Sequence, residues 1–165
     1  MNSKHDTKKS AKSNVPELVI ERVFDAPRER VFEAWRDPDL LKEWTSPKGF
    51  TIPENRGDFR PGGKWRARMH PQSGRDLIVE GVYQEITEPE RIVSTHYWLD
   101  ERGKPGPETL QIVTFEDLGE ETKVTYRQSG FASREDRDGH EAGWKECFDK
   151  LEELLTARVE APVRR

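Results

Sequence analysis

Along Glu17 to Phe24 charged residues alternate with apolar and β-branched ones, a period of two that predicts a first strand. The pattern then changes. Pro27 pre-sets a helical φ in a first turn, Asp25 stands upstream as a cap, and Val31, Phe32 and Trp35 recur at helical spacing. Asp37-Pro38 interrupts that helix, a second short one covers Leu40 to Trp44, and Ser46-Pro47-Lys48-Gly49 ends it in a turn.

From Phe50 to Gln128 the alternation returns in strand-length pieces. Phe50 to Glu54 precedes a loop through Asn55-Arg56-Gly57, and Lys64 to His70 puts Trp65, Ala67 and Met69 on one face with Arg66, Arg68 and His70 on the other. Leu77 to Thr87, Arg91 to Leu99, Thr109 to Asp117 and Thr122 to Gln128 continue as a meander, separated by Gly- and Pro-containing turns. No crossover helix lies among them, so the sheet is antiparallel. Ser133 and Asp136 then resemble a capping box, and His140, Trp144, Phe148, Leu151 and Leu155 form a helical stripe that must face the sheet. The expectation is an α+β fold: a curved antiparallel sheet wrapped around a long C-terminal helix from Ser133 to Ala157, with two short helices after the first strand. Such a layout leaves a cavity where sheet and helix do not meet.

Composition narrows the class. With 165 residues the chain is expected to be one domain over residues 16–158, between a disordered basic tail at 1–15 and a short C-terminal tail at 159–165. Hydrophobic residues are 32% and charged residues 36%, so most apolar side chains are needed inside. Net charge is −4, and because the first fourteen residues carry four lysines against Asp6, the body is more acidic than that figure. An acidic body argues against nucleic-acid binding, which needs a concentrated basic face. No apolar run is long enough for a membrane span or a signal peptide, and Cys147 is the only cysteine, so a cytoplasmic location is expected.

The chain resembles a known family. Phe24-Asp25-Ala26-Pro27 with Val31 and Trp35, Asp37-Pro38 with Trp44, and Asp58-x-Arg60-Pro61-Gly62-Gly63-x-Trp65 carry the first part of the match. Gly81-x-Tyr83-x-Glu85, Val113-Thr114-Phe115-Glu116, Gly130-Phe131 and Gly139-His140-Glu141-x-Gly143-Trp144 carry the rest. Together, in this order, they resemble the helix-grip fold of the START-like (Bet v 1-like, SRPBCC) superfamily, and within it the branch named after the activator of Hsp90 ATPase, the AHSA1-like domains. The resemblance implies the fold above. Members of the superfamily bind lipids, plant hormones or polyketides, and a few are cyclases or dehydratases. An Hsp90 contact is also open to this branch, but the eukaryotic co-chaperones make it mainly through an additional N-terminal domain for which this sequence has no room.

Rings are the candidates for a cavity wall, because large rigid aromatics can enclose a space that Leu, Ile and Val would fill. The expected lining residues are Trp35, Trp44, Phe50, Trp65, Met69, Tyr83, Trp98, Tyr126 and Trp144, with His96, Gln128 and His140 offering polar contacts. Tyr97 is a further aromatic of this kind. Trp35 and Phe148 read first as core; Trp144, on the first full turn of the last helix, fits lining and core equally. Arg60 and Glu85 are the polar candidates inside motifs, either as a site or as an ion pair pinning the Gly62-Gly63 turn.

Catalysis and metal find little support. His70, His96 and His140 lack the i, i+2 or i, i+4 spacing of a metal site, so no metal or cofactor is expected. Cys147 and His140 lie seven residues apart on one helix, about 10 Å along its axis, too far for a nucleophile and its base. The leading expectation is a binding module for a small apolar or aromatic molecule, as monomer or homodimer. A cyclase- or hydrolase-type enzyme using the same cavity, and a protein-binding stress or co-chaperone-like module, are the alternatives.

Overall fold

A computed structural model describes residues 15–160. The expected tail over the first fourteen residues and the last five residues of the chain lie outside that range. Seven strands form one open antiparallel sheet: β1 (Leu18–Phe24), β2 (Phe50–Gly57), β3 (Lys64–Pro71), β4 (Leu77–Thr87), β5 (Arg91–Trp98), β6 (Thr109–Asp117) and β7 (Thr122–Ser129). Their spatial order is β1-β7-β6-β5-β4-β3-β2, which places the first two strands of the chain at opposite edges. Helices α1 (Arg28–Arg36) and α2 (Pro38–Trp44) connect those edges, and α3 (Arg134–Glu160) runs across the sheet. This is the curved-sheet, long-helix α+β arrangement that the hydrophobic pattern predicts.

Local chemistry explains the boundaries, with three corrections. Pro27 itself stands at the start of α1, with no side chain capping it, so Asp25 is not the cap. Asp37 caps α2 through its carboxylate, which accepts from the Asp39 amide at 2.9 Å, and Pro38 sits at the first helical position, two residues earlier than the pattern suggests. The Ser133 hydroxyl accepts from the Asp136 amide at 3.0 Å and starts α3 as expected, while the helix continues to Glu160 rather than ending at Ala157.

The sheet and α3 are held together unevenly. A large core joins β1, β6, β7, α1, α2 and the second half of α3 through Phe24, Phe32, Trp35, Trp44, Phe115 and Phe148, with Leu151 and Leu155 beneath. Each of these buried rings removes enough apolar surface to contribute about 1.5–3 kcal/mol. Arg22 on β1 reaches Asp149 of α3 at 2.8 Å and lies over the Phe148 ring. A second, small cluster of Ile52, Ala67 and Val79 with Trp65, Met69 and Trp98 sits on β2 to β5. The two clusters do not merge, and the space between them is the site.

Two glycines are required by close approach. A Cβ on Gly63 would lie 1.9 Å from the Asp58 carbonyl oxygen, and one on Gly81 would lie 1.9 Å from that of Thr95 and 2.6 Å from Trp65 Nε1. The Gly62-Gly63 turn is fastened to β4 by backbone alone: Gly62 donates to the Tyr83 carbonyl at 2.7 Å, and Tyr83 donates to Gly63 at 2.9 Å.

Candidate functional site: a two-chambered cavity under α3

A cavity of about 550 Å³ lies beneath the first turns of α3. Met69, Trp98, Leu77 and Phe50 wall it from the sheet, Pro47 from the loop after α2, and His140, Gly143, Trp144 and Cys147 from the helix. A smaller chamber of about 90 Å³ continues inward over β3 to β7, between Trp35, Trp65, Tyr83, Ser94, Gln111 and Tyr126. Thr45, Met69, His96 and Trp144 line both chambers and mark the junction. Strand alternation produces this wall: Ser94, His96 and Trp98 are spaced by two on β5 and share its inner face.

Burial acts against charge on His96, Cys147, Tyr83 and Tyr126. His96 is 5% exposed, and burial, with the nearby His140 adding to it, lowers its pKa to about 3. Burial also pushes the Cys147 thiol up to about 12, and the Tyr83 phenol likewise to about 12. Tyr126 is raised well above the ordinary phenol value by burial, against hydrogen bonds to Gln111 and Trp144. The charged lining residues, Glu135 and Asp136, stand at the start of α3.

His140 is held in one tautomer. Its Nδ1 donates to the Asp136 carbonyl at 2.8 Å, so its Nε2 accepts the Trp98 indole N–H at 3.0 Å. Deeper, Ser94 donates to Gln111 Oε1 at 3.3 Å, Gln111 donates to the Tyr126 hydroxyl at 2.7 Å, and Tyr126 donates to Gln128 Oε1 at 2.8 Å. Gln128 donates in turn to the Thr109 hydroxyl at 2.8 Å, which donates to the His96 carbonyl at 3.1 Å. These are buried, mutually satisfied polar groups in an otherwise apolar layer.

The structure brings most of the sequence-predicted lining residues together. Phe50, Trp98 and His140 wall the outer chamber, Trp35, Trp65, Tyr83 and Tyr126 the inner one, and Met69, His96 and Trp144 both. Four candidates lie elsewhere. Trp44 is fully buried in the main core and donates its indole N–H to the Ala34 carbonyl at 3.0 Å. Gln128 does point inward, but Tyr126 and Thr109 take its amide. Arg60 is in the loop before β3 and pairs with Asp58 at 2.6 Å. Glu85 pairs with Arg91 at 3.2 Å, because the β4–β5 register slips between Tyr83 and Glu85 and sets Glu85 opposite Val93, off the cavity face. Arg60 and Glu85 therefore form neither a site nor the ion pair considered for the Gly62-Gly63 turn.

Sequence reasoning missed the glycines. Gly139 and Gly143 line the outer chamber; a Cβ at Gly139 would meet nothing within 4 Å, and one at Gly143 only the Pro47 ring at 3.7 Å. Glycine in a helix interior costs about 1 kcal/mol relative to alanine, so two of them four apart on a long helix were a readable sign of a face kept open. Ser94 and Gln111 were also missed, being ordinary polar residues of strands until register shows their face. Among the described residues no group of His, Cys, Asp and Glu is placed to hold a metal ion, and no helix is long and apolar enough to cross a membrane.

Comparison with known proteins supports the architecture. The sequence profile of the family described as activator of Hsp90 ATPase homolog 1-like protein matches residues 25–156. The crystal structure of the AHSA1 protein from Silicibacter pomeroyi is similar over 86% of this chain and 99% of its own, at 26% identity and a TM-score of 0.78. A protein from Chromobacterium violaceum is similar over 84% of this chain and 96% of its own, at 26% identity and a TM-score of 0.75. A protein from Arthrobacter aurescens is similar over 87% and 88% respectively, at 25% identity and a TM-score of 0.77. A search of curated proteins gave no match.

Proposed function

The chain belongs to the activator of Hsp90 ATPase homolog 1-like family, and from that premise we propose that it is a non-enzymatic binding module for a small, uncharged aromatic molecule. The fold is consistent with either a ligand-binding or a co-chaperone-like module. The observation that carries the first reading is the cavity itself: about 550 Å³, walled by rings, with burial acting against charge on His96 and Cys147. An anionic ligand would meet the carboxylates of Glu135 and Asp136 at the start of α3 and no cation in the lining, whereas a flat neutral one gains apolar contact with the rings.

The same features argue against a reaction. A histidine whose pKa is near 3 is a poor general base at neutral pH, and a thiol near 12 is a poor nucleophile. A single buried free cysteine fits a reducing, cytoplasmic setting. The test is titration with N-phenyl-1-naphthylamine, a neutral fluorescent probe. Saturable binding at one probe per chain, weakened by Trp144→Ala, is the expected result; non-saturable binding would sink the proposal.

A further inference from the structure

The buried hydrogen-bond chain has a direction, and that direction can be deduced from one end. The His96 carbonyl can only accept, so the Thr109 hydroxyl must donate to it and is left to accept from Gln128. That orients the Gln128 amide with its oxygen towards Tyr126, whose single proton is then committed to Gln128. Tyr126 must accept from the Gln111 amide nitrogen, which turns the Gln111 oxygen towards Ser94. Ser94 therefore donates its only proton to Gln111. At the far end of five consecutive bonds its oxygen is left as an acceptor, strengthened by the polarised chain behind it, in the wall of the inner chamber.

His96 stands two residues further along the same face, at the junction of the chambers. Its nearest polar neighbours are engaged elsewhere: Trp98 donates to His140, and His140 donates to Asp136. The neutral imidazole keeps one nitrogen that accepts and one that donates. Asn55 and Tyr83 in the inner lining can each donate or accept, and Trp65 Nε1, buried there without a partner, can only donate, so a hydroxyl that gives its proton to the corner can accept from the indole. The bias is set at the corner formed by Ser94 and His96.

We propose, resting on the binding reading above, that the ligand class is a hydroxylated aromatic whose hydroxyl proton is received at the Ser94–His96 corner, with the rest of the molecule in the outer chamber. Three probes of one shape separate the alternatives: 4-phenylphenol, 4-methoxybiphenyl and biphenyl, titrated calorimetrically into the full chain. Loss of one neutral hydrogen bond predicts that the phenol binds about fivefold or more tightly than its methyl ether. Ser94→Ala should narrow the ratio, lowering phenol affinity more than it changes that of biphenyl. Thr109→Val provides a second variant, since it releases the chain from the His96 carbonyl and should narrow the ratio with Ser94 still present. Equal affinity for phenol and ether in the unaltered protein, or an equal loss for all three probes in both variants, overturns the donor-reading corner and leaves the cavity proposal standing. Failure of all three probes to bind overturns both.

Discussion

Trp98 on the sheet donates its indole N–H to Nε2 of His140 on α3, at 3.0 Å, across the outer chamber. It is a direct polar link between the two walls there, and it depends on the Nδ1–H tautomer that the Asp136 carbonyl fixes. Trp98→Phe keeps most of the ring and removes the donor. It should lower stability by about 0.5–1.5 kcal/mol and speed amide exchange in the first turns of α3. Unchanged exchange there would show that packing alone holds the helix down.

Acid should weaken the fold through His96. An unfolded imidazole titrates near about 6.5, and folded His96 near about 3. Between those values the unfolded chain binds more protons, so stability rises with pH across this window and is lost as pH falls below about 6.5. The slope from this residue approaches about 1.4 kcal/mol per pH unit. Urea denaturation at about pH 7.5 and about pH 5 should show the loss, and His96→Phe should flatten it. Identical slopes in the two proteins would assign the acid sensitivity to carboxylates.

Cys147 should be unreactive in the native state. Burial holds it as a thiol, whereas reaction with a disulfide reagent requires the thiolate. At about pH 8 labelling should be much slower than for a free thiol, and rapid once the protein is unfolded in urea. Fast labelling of the folded protein would mean that the helix opens readily or that the sulfur is activated.

Gly143 should trade binding against stability. Gly143→Ala should stabilise the helix by about 0.5–1 kcal/mol, because the added methyl meets only the Pro47 ring. Gly143→Leu should project into the outer chamber and weaken probe binding without loss of fold. A leucine variant that binds the probe as tightly would move the ligand elsewhere.

Gly81→Ala should be among the most damaging small substitutions. Its Cβ would fall 1.9 Å from a carbonyl oxygen, and a backbone atom cannot move aside as a flexible side chain can. A loss of about 2 kcal/mol or more is expected, with a shift in the fluorescence of the overlying Trp65.

Much of this was legible in sequence because the sheet obeys a strict period. Leu77 to Thr87 and Thr109 to Asp117 form strands with the limits that their alternation predicts. The wall residues followed wherever that alternation continued, as at His96 and Trp98. Glu85 defeated it for a local reason: one slip in register beside Tyr83 moves every later residue of β4 to the opposite face from the one counted. Trp44 was misplaced for a different reason. Whether a ring encloses a void or fills one depends on what α1 and α3 bring to it, and periodicity within α2 carries no information about that. Gln128 faces inward as counted, but its partners come from β6 and its own strand, and only the assembled sheet shows that its amide is spent.

The uneven seating of α3 has a mechanical consequence. From Phe148 onward it is embedded in the main core and tied to β1 by Arg22; before Trp144 it lies over the open chamber, tied by His140 to Trp98 and by Arg137 to the Glu17 carbonyl. A rod clamped along one half and pinned at a few points along the other behaves much as a cantilever, and its stiffness resides at the clamp. Lys150, which donates to Ser46 at 3.2 Å and to the Pro47 carbonyl at 3.3 Å, is such a clamp point. Any widening of the chamber would meet least resistance on the N-terminal side of this point, while the hydrophobic interior beyond it stays shut.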